Sequence, residues 1–162
     1  MKRKTQVRYK SNRLVLSAIL VIGLAIGLAA GYGLWHDDST FEEAVVSEVI
    51  DGDTVILANG QRVRYLGIDT PESGDFYFEE ATSKNLELVM NKVVQLQEGN
   101  RNADEYGRLL RYVYVDGVFV NAELVAQGYA KAYIFDADEP YSQILVQLEQ
   151  YAKIRNKGLW SR

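Results

Sequence analysis

Three short runs hold the residues with which this chain could do chemistry. They are Asp51 and Asp53 in D-G-D-T, Arg64, Asp69 and Glu72 in R-Y-L-G-I-D-T-P-E, and Arg108 in E-Y-G-R. The aspartates offer oxygen ligands to a hard cation. A glutamate can orient or deprotonate water, and two guanidinium groups can fork onto phosphate oxygens. Taken together, this is the inventory that cleavage of a phosphodiester needs. Taken singly, each run has a plainer reading. Asp51-Gly52 and Asp69-Thr70-Pro71 also read as turns, with Pro71 ending a strand. Arg64 also reads as half of an internal ion pair, and Arg108 as a loop residue after a permissive glycine. The joint pattern is more telling, because neighbouring carboxylates raise one another's pKa unless a cation neutralises them.

Other chemistries lack their residues. The chain has no cysteine, which removes disulfides, thiolate metal sites and a catalytic thiol. Its single histidine, His36, borders an apolar segment, so acid–base chemistry resting on histidine has no basis.

The elements that must position these side chains read as strands first and helices later. Ala44–Ile50, Thr54–Ala58 and Arg62–Ile68 are β-branched and apolar runs, separated by Asp51-Gly52 and Asn59-Gly60. That spacing predicts three consecutive antiparallel strands. On this reading Arg64 shares a face with Leu66 and Ile68, and Asp53 approaches Asp69 only if the hairpin is offset or bulged. A helix is predicted over Phe78–Met90, with apolar positions at Phe78, Ala81, Leu86, Val89 and Met90. Val93–Gln97 and Leu109–Val115 supply strands four and five, the latter returning at Asp116-Gly117 into Val118–Val120. Asn121 is the expected N-cap of a short helix closed by Gly128. A last helix is expected from about Pro140 to Lys157, with an apolar stripe of Ile144, Leu145, Leu148, Tyr151 and Ala152. Five strands and three interleaved helices suggest an α+β fold built on a five-stranded, partly open Greek-key barrel of the OB type. A ferredoxin-like sheet fits less well, because three hairpin-linked strands precede any helix.

The amino terminus has a different character. Residues 1–13 are basic and read as cytoplasmic, and 14–35 form an uncharged run from Leu14 to Trp35. Those 22 residues would extend about 33 Å as a helix, enough to span a bilayer core. Basic residues before it and acidic ones after it place the remainder, a linker at 36–43 and a domain at 44–162, outside the cell membrane. A cleaved signal peptide, giving a secreted domain, is the competing reading. Gly23, Gly27 and Gly31 recur every fourth residue, the spacing of a weak helix–helix contact in lipid and so of a homodimer. Of 18 Lys and Arg, six precede Leu14, while all 22 Asp and Glu follow it, leaving 12 basic residues against 22 acidic ones, a net −10, beyond that point. An acidic domain opposes general attraction to nucleic acid.

In order and spacing, V-I-D-G-D-T-V, V-R-Y-L-G-I-D-T-P-E, Y-G-R-L-L-R-Y-V-Y-V-D-G, V-N-A-E-L-V-A-Q-G-Y-A-K and the late G-L-W resemble the thermonuclease, or staphylococcal-nuclease-like, family. The resemblance runs from about Ala44 to Trp160. It implies an OB barrel with three helices and calcium-dependent hydrolysis of DNA and RNA to 3′-phosphate products. It implies that Asp53, Asp69 and the Thr70 carbonyl ligate calcium, with Asp51 close by, and that Glu72 handles the attacking water. It also implies that Arg64 and Arg108 bind phosphate, and that Tyr106 and Tyr133 contact the nucleotide. The chain departs from well-known members in Ser73–Thr82, which is acidic and aromatic where they carry a lysine-rich loop. It departs again at Phe135, which lacks a tyrosine hydroxyl, and at Glu105, which stands in place of a lysine. A non-catalytic OB module that binds a protein, an envelope component or an oligonucleotide is the alternative these residues leave open.

Overall fold

A computed structural model describes residues 41–135 and 138–161. The apolar run 14–35, the basic terminus and the glycine repeat at 23, 27 and 31 lie outside the described residues. Within the described residues no helix is long and apolar enough to cross a membrane.

The strands are β1 Phe41–Val49, β2 Thr54–Leu57, β3 Arg62–Tyr65, β4 Ile68–Asp69, β5 Val93–Ala103, β6 Leu109–Val115, β7 Val118–Phe119 and β8 Lys131–Ala132. The helices are α1 Phe78–Val89, α2 Val120–Ala126 and α3 Ser142–Ile154, followed by a 3₁₀ turn at Gly158–Trp160. The order β3-β2-β1-β5-β6 closes on itself through a parallel pairing of β3 with β6. The result is a mixed five-stranded barrel with three helices, consistent with the OB type.

Its core alternates along the strands as period-two patterning requires. Val46, Val55, Leu57, Val63, Tyr65, Val94, Leu96 and Val113 point inward, sealed by Val89, Leu124, Val125 and Leu145 from the helices. Truncating one such residue to alanine costs about 2–5 kcal/mol, because the cavity left behind relaxes only in part.

The hairpin at Asn59-Gly60 forms as expected, with Ile56 opposite Arg62 and Thr54 opposite Arg64. The third strand, however, does not run to Ile68. It stops at Tyr65, the chain turns at Gly67 with φ of +73°, and Ile68–Asp69 pairs instead with Lys131–Ala132. Because the strand ends early, the expected parity of Arg64 with Leu66 and Ile68 does not hold. Val63 and Tyr65 form the core face, and Arg64 lies on the other face.

Three further expectations are corrected. Asn121 is not an N-cap; Phe119 occupies that position. Asn121 is instead buried, where its Oδ1 accepts from the Val113 N–H at 2.9 Å and its Nδ2 donates to the Leu66 carbonyl at 2.8 Å. A buried amide that satisfies two backbone groups of different elements outweighs a local cap. On α1 the buried face is Ala81, Asn85 and Val89, with Leu86 exposed. On α3, which runs from Ser142 to Ile154, Leu145 and Ala152 are buried, whereas Ile144 and Tyr151 are exposed. Each helix is thus rotated from its most apolar stripe. Beyond these, strand β5 extends past Gln97 to Ala103 through a polar stretch, because that stretch pairs with β6 after the pairing with β1 has ended.

Candidate active site

The first site element is the turn between β1 and β2. The Asp53 N–H donates to Asp51 Oδ1 at 2.9 Å, closing a short side-chain turn. A side chain at Gly52 would place its Cβ within 2.8 Å of the Thr70 Cβ, so only glycine lets the two loops meet. Asn85 of α1 braces the turn from below, donating to the Asp51 carbonyl and accepting from the Tyr65 hydroxyl, both at 2.9 Å.

Asp53 is therefore buried, with 4% of its surface exposed, and each of its oxygens has two partners. Oδ2 accepts from the Thr70 N–H at 2.8 Å and from Thr70 Oγ1 at 2.9 Å. Oδ1 accepts from Thr54 Oγ1 at 3.1 Å and lies 3.1 Å from Arg64 Nε. Arg64 spreads its guanidinium further. Nη1 donates to the Tyr65 and Ile68 carbonyls, at 2.7 Å each, and Nη2 donates to Asp69 Oδ1 at 3.0 Å. The two aspartates are thus brought together through this arginine and the Gly67 turn, not through the offset hairpin register expected from sequence. Burial, helped by the Asp51 charge, pushes the Asp53 carboxyl up to about 6, because desolvation outweighs the attraction of Arg64 and the Thr70 hydrogen bonds.

Arg108 is built differently. It follows Gly107, whose φ is +77°, at the tip of the β5–β6 hairpin. Its Nε donates to Asp104 Oδ2 at 2.7 Å, while Asp104 Oδ1 accepts from the Arg108 and Tyr106 N–H groups. Burial pushes the Asp104 carboxyl up, but the hydrogen bonds and charge of Arg108 more than offset this and leave it below its ordinary value. Among the described residues, no hydrogen bond is found from Arg108 Nη1 or Nη2. Asp104 was not singled out from sequence. Its place four residues before Arg108, in D-E-Y-G-R, is the signal that points to it.

Between the two arginines runs a cleft of about 570 Å³, lined by Arg64, Asp69, Glu72, Tyr106, Arg108 and Tyr133 among others. Glu72 is exposed at its edge, and its carboxylate accepts no hydrogen bond among the described residues. Tyr106 and Tyr133 are 78% and 54% exposed, so their rings are free to meet a ligand. Asp51, Asp53 and Thr70 do not line the cleft. Arg101 and Glu139 do, although sequence reasoning passed over them.

Among the described residues, no three acidic or histidine side chains are grouped as a metal cage. What the fold offers is two carboxylates sharing one counter-cation, with Thr70, next to Asp69 in the chain, hydrogen-bonded to Asp53. That oxygen-only set suits a hard ion whose remaining positions are filled by backbone, water or phosphate.

Residues 62–162, more than half of the chain, match the family described as staphylococcal nuclease homologue. The match begins at Arg62, so Asp51 and Asp53 precede it and join the site through the fold. The chain is 40% identical over 129 residues to endonuclease YncB of Bacillus subtilis (strain 168), covering 72% of this chain and 61% of that protein. It is 39% identical over 132 residues to the SPbeta prophage-derived endonuclease YokF of the same strain, covering 74% of this chain and 44% of that one. It thus spans less than two thirds of either endonuclease. It is also 29% identical over 160 residues to the thermonuclease of Staphylococcus intermedius, covering 91% of this chain and 95% of that protein. With the barrel, the arginine-bridged aspartates and the matched stretch all in agreement, the chain belongs to the staphylococcal nuclease family.

Proposed function

We propose that this protein is a calcium-dependent nuclease that hydrolyses phosphodiester bonds of DNA, RNA or both, leaving 3′-phosphate ends. The observation that carries this reading is the convergence of Asp53 and Asp69 on Arg64, which lines one cleft together with Asp69, Glu72 and Arg108. The family is generally calcium-dependent, and the donor set here fits that ion.

Asp53, Asp69 and the Thr70 carbonyl would hold the cation, with Asp51 shaping the loop. Bound there, calcium would offset phosphate charge and make nearby water more acidic. With a cation held by Asp53 and Asp69, the Arg64 guanidinium, whose Nε is now 3.1 Å from Asp53 Oδ1, would serve the phosphate. Arg108, already aimed by Asp104, offers Nη1 and Nη2 to charge growing on phosphoryl oxygens. Glu72 orients or deprotonates the attacking water. Tyr106 and Tyr133 stack on or border the nucleotide. The run 14–35 anchors the domain on the outer side of the membrane, which suits an acidic enzyme that depends on local contacts for substrate capture.

The test is incubation of the full chain with single- and double-stranded DNA and RNA, in calcium or in excess chelator. Cutting in calcium that stops in chelator is the expected result. Persistent cutting in chelator would remove the metal from the mechanism. Binding in calcium without cutting would replace the enzyme with the non-catalytic OB module.

A further inference from the structure

The cleft has two walls from distant parts of the chain, and one side chain ties them together. One wall is the β5–β6 hairpin tip, which presents Arg101 and Arg108. The other carries Tyr133 and Phe135 and is fixed at its start, where the Tyr133 N–H donates to the Gly67 carbonyl at 2.9 Å. Four residues beyond Phe135, Glu139 reaches across. Its Oε1 accepts from the Asn100 N–H at 3.1 Å, and its Oε2 accepts from the Tyr112 hydroxyl at 2.9 Å.

Room for this carboxylate has been made in the hairpin. A Cβ on Gly99 would collide with Leu66 Cδ1 and lie 2.7 Å from Glu139 Oε2, yet Gly99 does not have the left-handed backbone that otherwise calls for glycine. The residue is small for Leu66 and Glu139 together, not for a turn. Burial and then the bond to Glu139 push the Tyr112 hydroxyl well above its ordinary range, so it remains a donor at working pH. A second contact spans the walls at the surface, where Arg101 Cζ lies 5.2 Å from the centroid of Phe135, a residue 72% exposed. An exposed contact of that kind holds weakly compared with a charged acceptor taking two donors.

We propose that Glu139 is a positioning residue that clasps the two cleft walls, setting the separation of the Tyr133 wall from Arg108 and thereby the affinity for the polynucleotide. The proposal rests on the nuclease reading for its substrate. Its physical core, the clasp, can be measured separately.

The experiment uses the full chain as wild type, Glu139→Ala, Glu139→Gln and Gly99→Ala. It measures kcat and KM on single-stranded DNA in calcium, oligonucleotide affinity by anisotropy, and hydrogen exchange at the Asn100 amide. Losing a charged acceptor should raise KM about tenfold in Glu139→Ala and leave kcat within about twofold, with faster exchange at Asn100. Glutamine should recover most of the affinity, since its oxygen can accept from Asn100 and its amide can donate to the Tyr112 oxygen. Gly99→Ala should resemble the alanine variant. Unchanged exchange at Asn100 would overturn the clasp. Faster exchange with unchanged KM and anisotropy would show a structural brace without a role in affinity, which also overturns the proposal. Wild-type protein that does not cut would strike the nuclease reading instead, and anisotropy with exchange would still decide the clasp.

Discussion

The two arginines of the cleft hold opposite positions in the same site. Arg64 has 16% of its side chain exposed and is engaged with two carboxylates and two carbonyls. Arg108 is 30% exposed and tied through Nε to a single carboxylate. Their neighbours titrate in opposite directions, with Asp53 raised by burial and Asp104 lowered by its hydrogen bonds. The contrast shows one cation built into the fold, whose loss disturbs the loops that form the site. The other is presented by a hairpin tip, where, on the proposed function, removing it would take away chemistry with little effect on structure.

The largest test of that contrast is truncation of each arginine. Arg64→Ala leaves a buried carboxylate without its counter-charge and two carbonyls without their donor, a loss of about 3–5 kcal/mol for a buried pair broken on one side. The urea midpoint should fall accordingly, and cutting should fall with it. Arg108→Ala should cost at most about 1 kcal/mol of stability, as a partly exposed pair does, while lowering kcat by ~10² to 10³. Equal destabilisation in the two variants would erase the distinction.

A smaller effect is expected from pH. The Asp53 carboxyl ionises near 3.8 when unfolded and near 6 in the native state, so between those values the native protein holds a proton that the unfolded chain has lost. Stability from this group is therefore complete below the unfolded value and is lost as pH rises through the native one, by up to ~3 kcal/mol. In chelator, the wild type should lose stability relative to Asp53→Asn between about pH 4 and 7. Calcium should restore the wild type and leave the variant unmoved. Parallel pH curves for the two proteins would show that burial does not govern this carboxyl.

The smallest effect concerns Asp104. Its lowered pKa contributes stability that is present above the unfolded value and lost as pH falls through the native one, the reverse of Asp53. Asp104→Asn keeps much of the hairpin turn and weakens the hold on Arg108 Nε. A loss of kcat of about fivefold, well short of that in Arg108→Ala, is expected from one weakened hydrogen bond. A loss as large as that of Arg108→Ala would mean that Asp104 does more than aim its arginine.

Much of the barrel was legible because its signals are local. Period-two runs broken by Asn59-Gly60 and Asp116-Gly117 specify strands and turns by steric preference alone, and β2, β6 and the start of α1 fall where that pattern places them. The misread elements share a cause. Asn121 resembles a cap but satisfies backbone groups of β6 and of the turn after β3. Leu86, Ile144 and Tyr151 resemble core but face solvent, because the phase of a helix is set by what it packs against. The end of β3 depended on Gly67, whose positive φ ended the ladder that the apolar run would have continued.

By itself the sequence determined which atoms are available: oxygen ligands, a glutamate in D-T-P-E and two guanidinium groups, with no thiol and one histidine outside the domain. Side-chain chemistry is a property of residue type, so it survives any uncertainty about the fold. Only the tertiary structure decided how those atoms meet. It joined Asp53 to Asp69 through Arg64, aimed Arg108 with Asp104, and reached Glu139 across from one cleft wall to the other. These are contacts between chain segments remote in sequence, fixed by barrel closure and by the burial of polar groups that must find partners, and no local pattern encodes them.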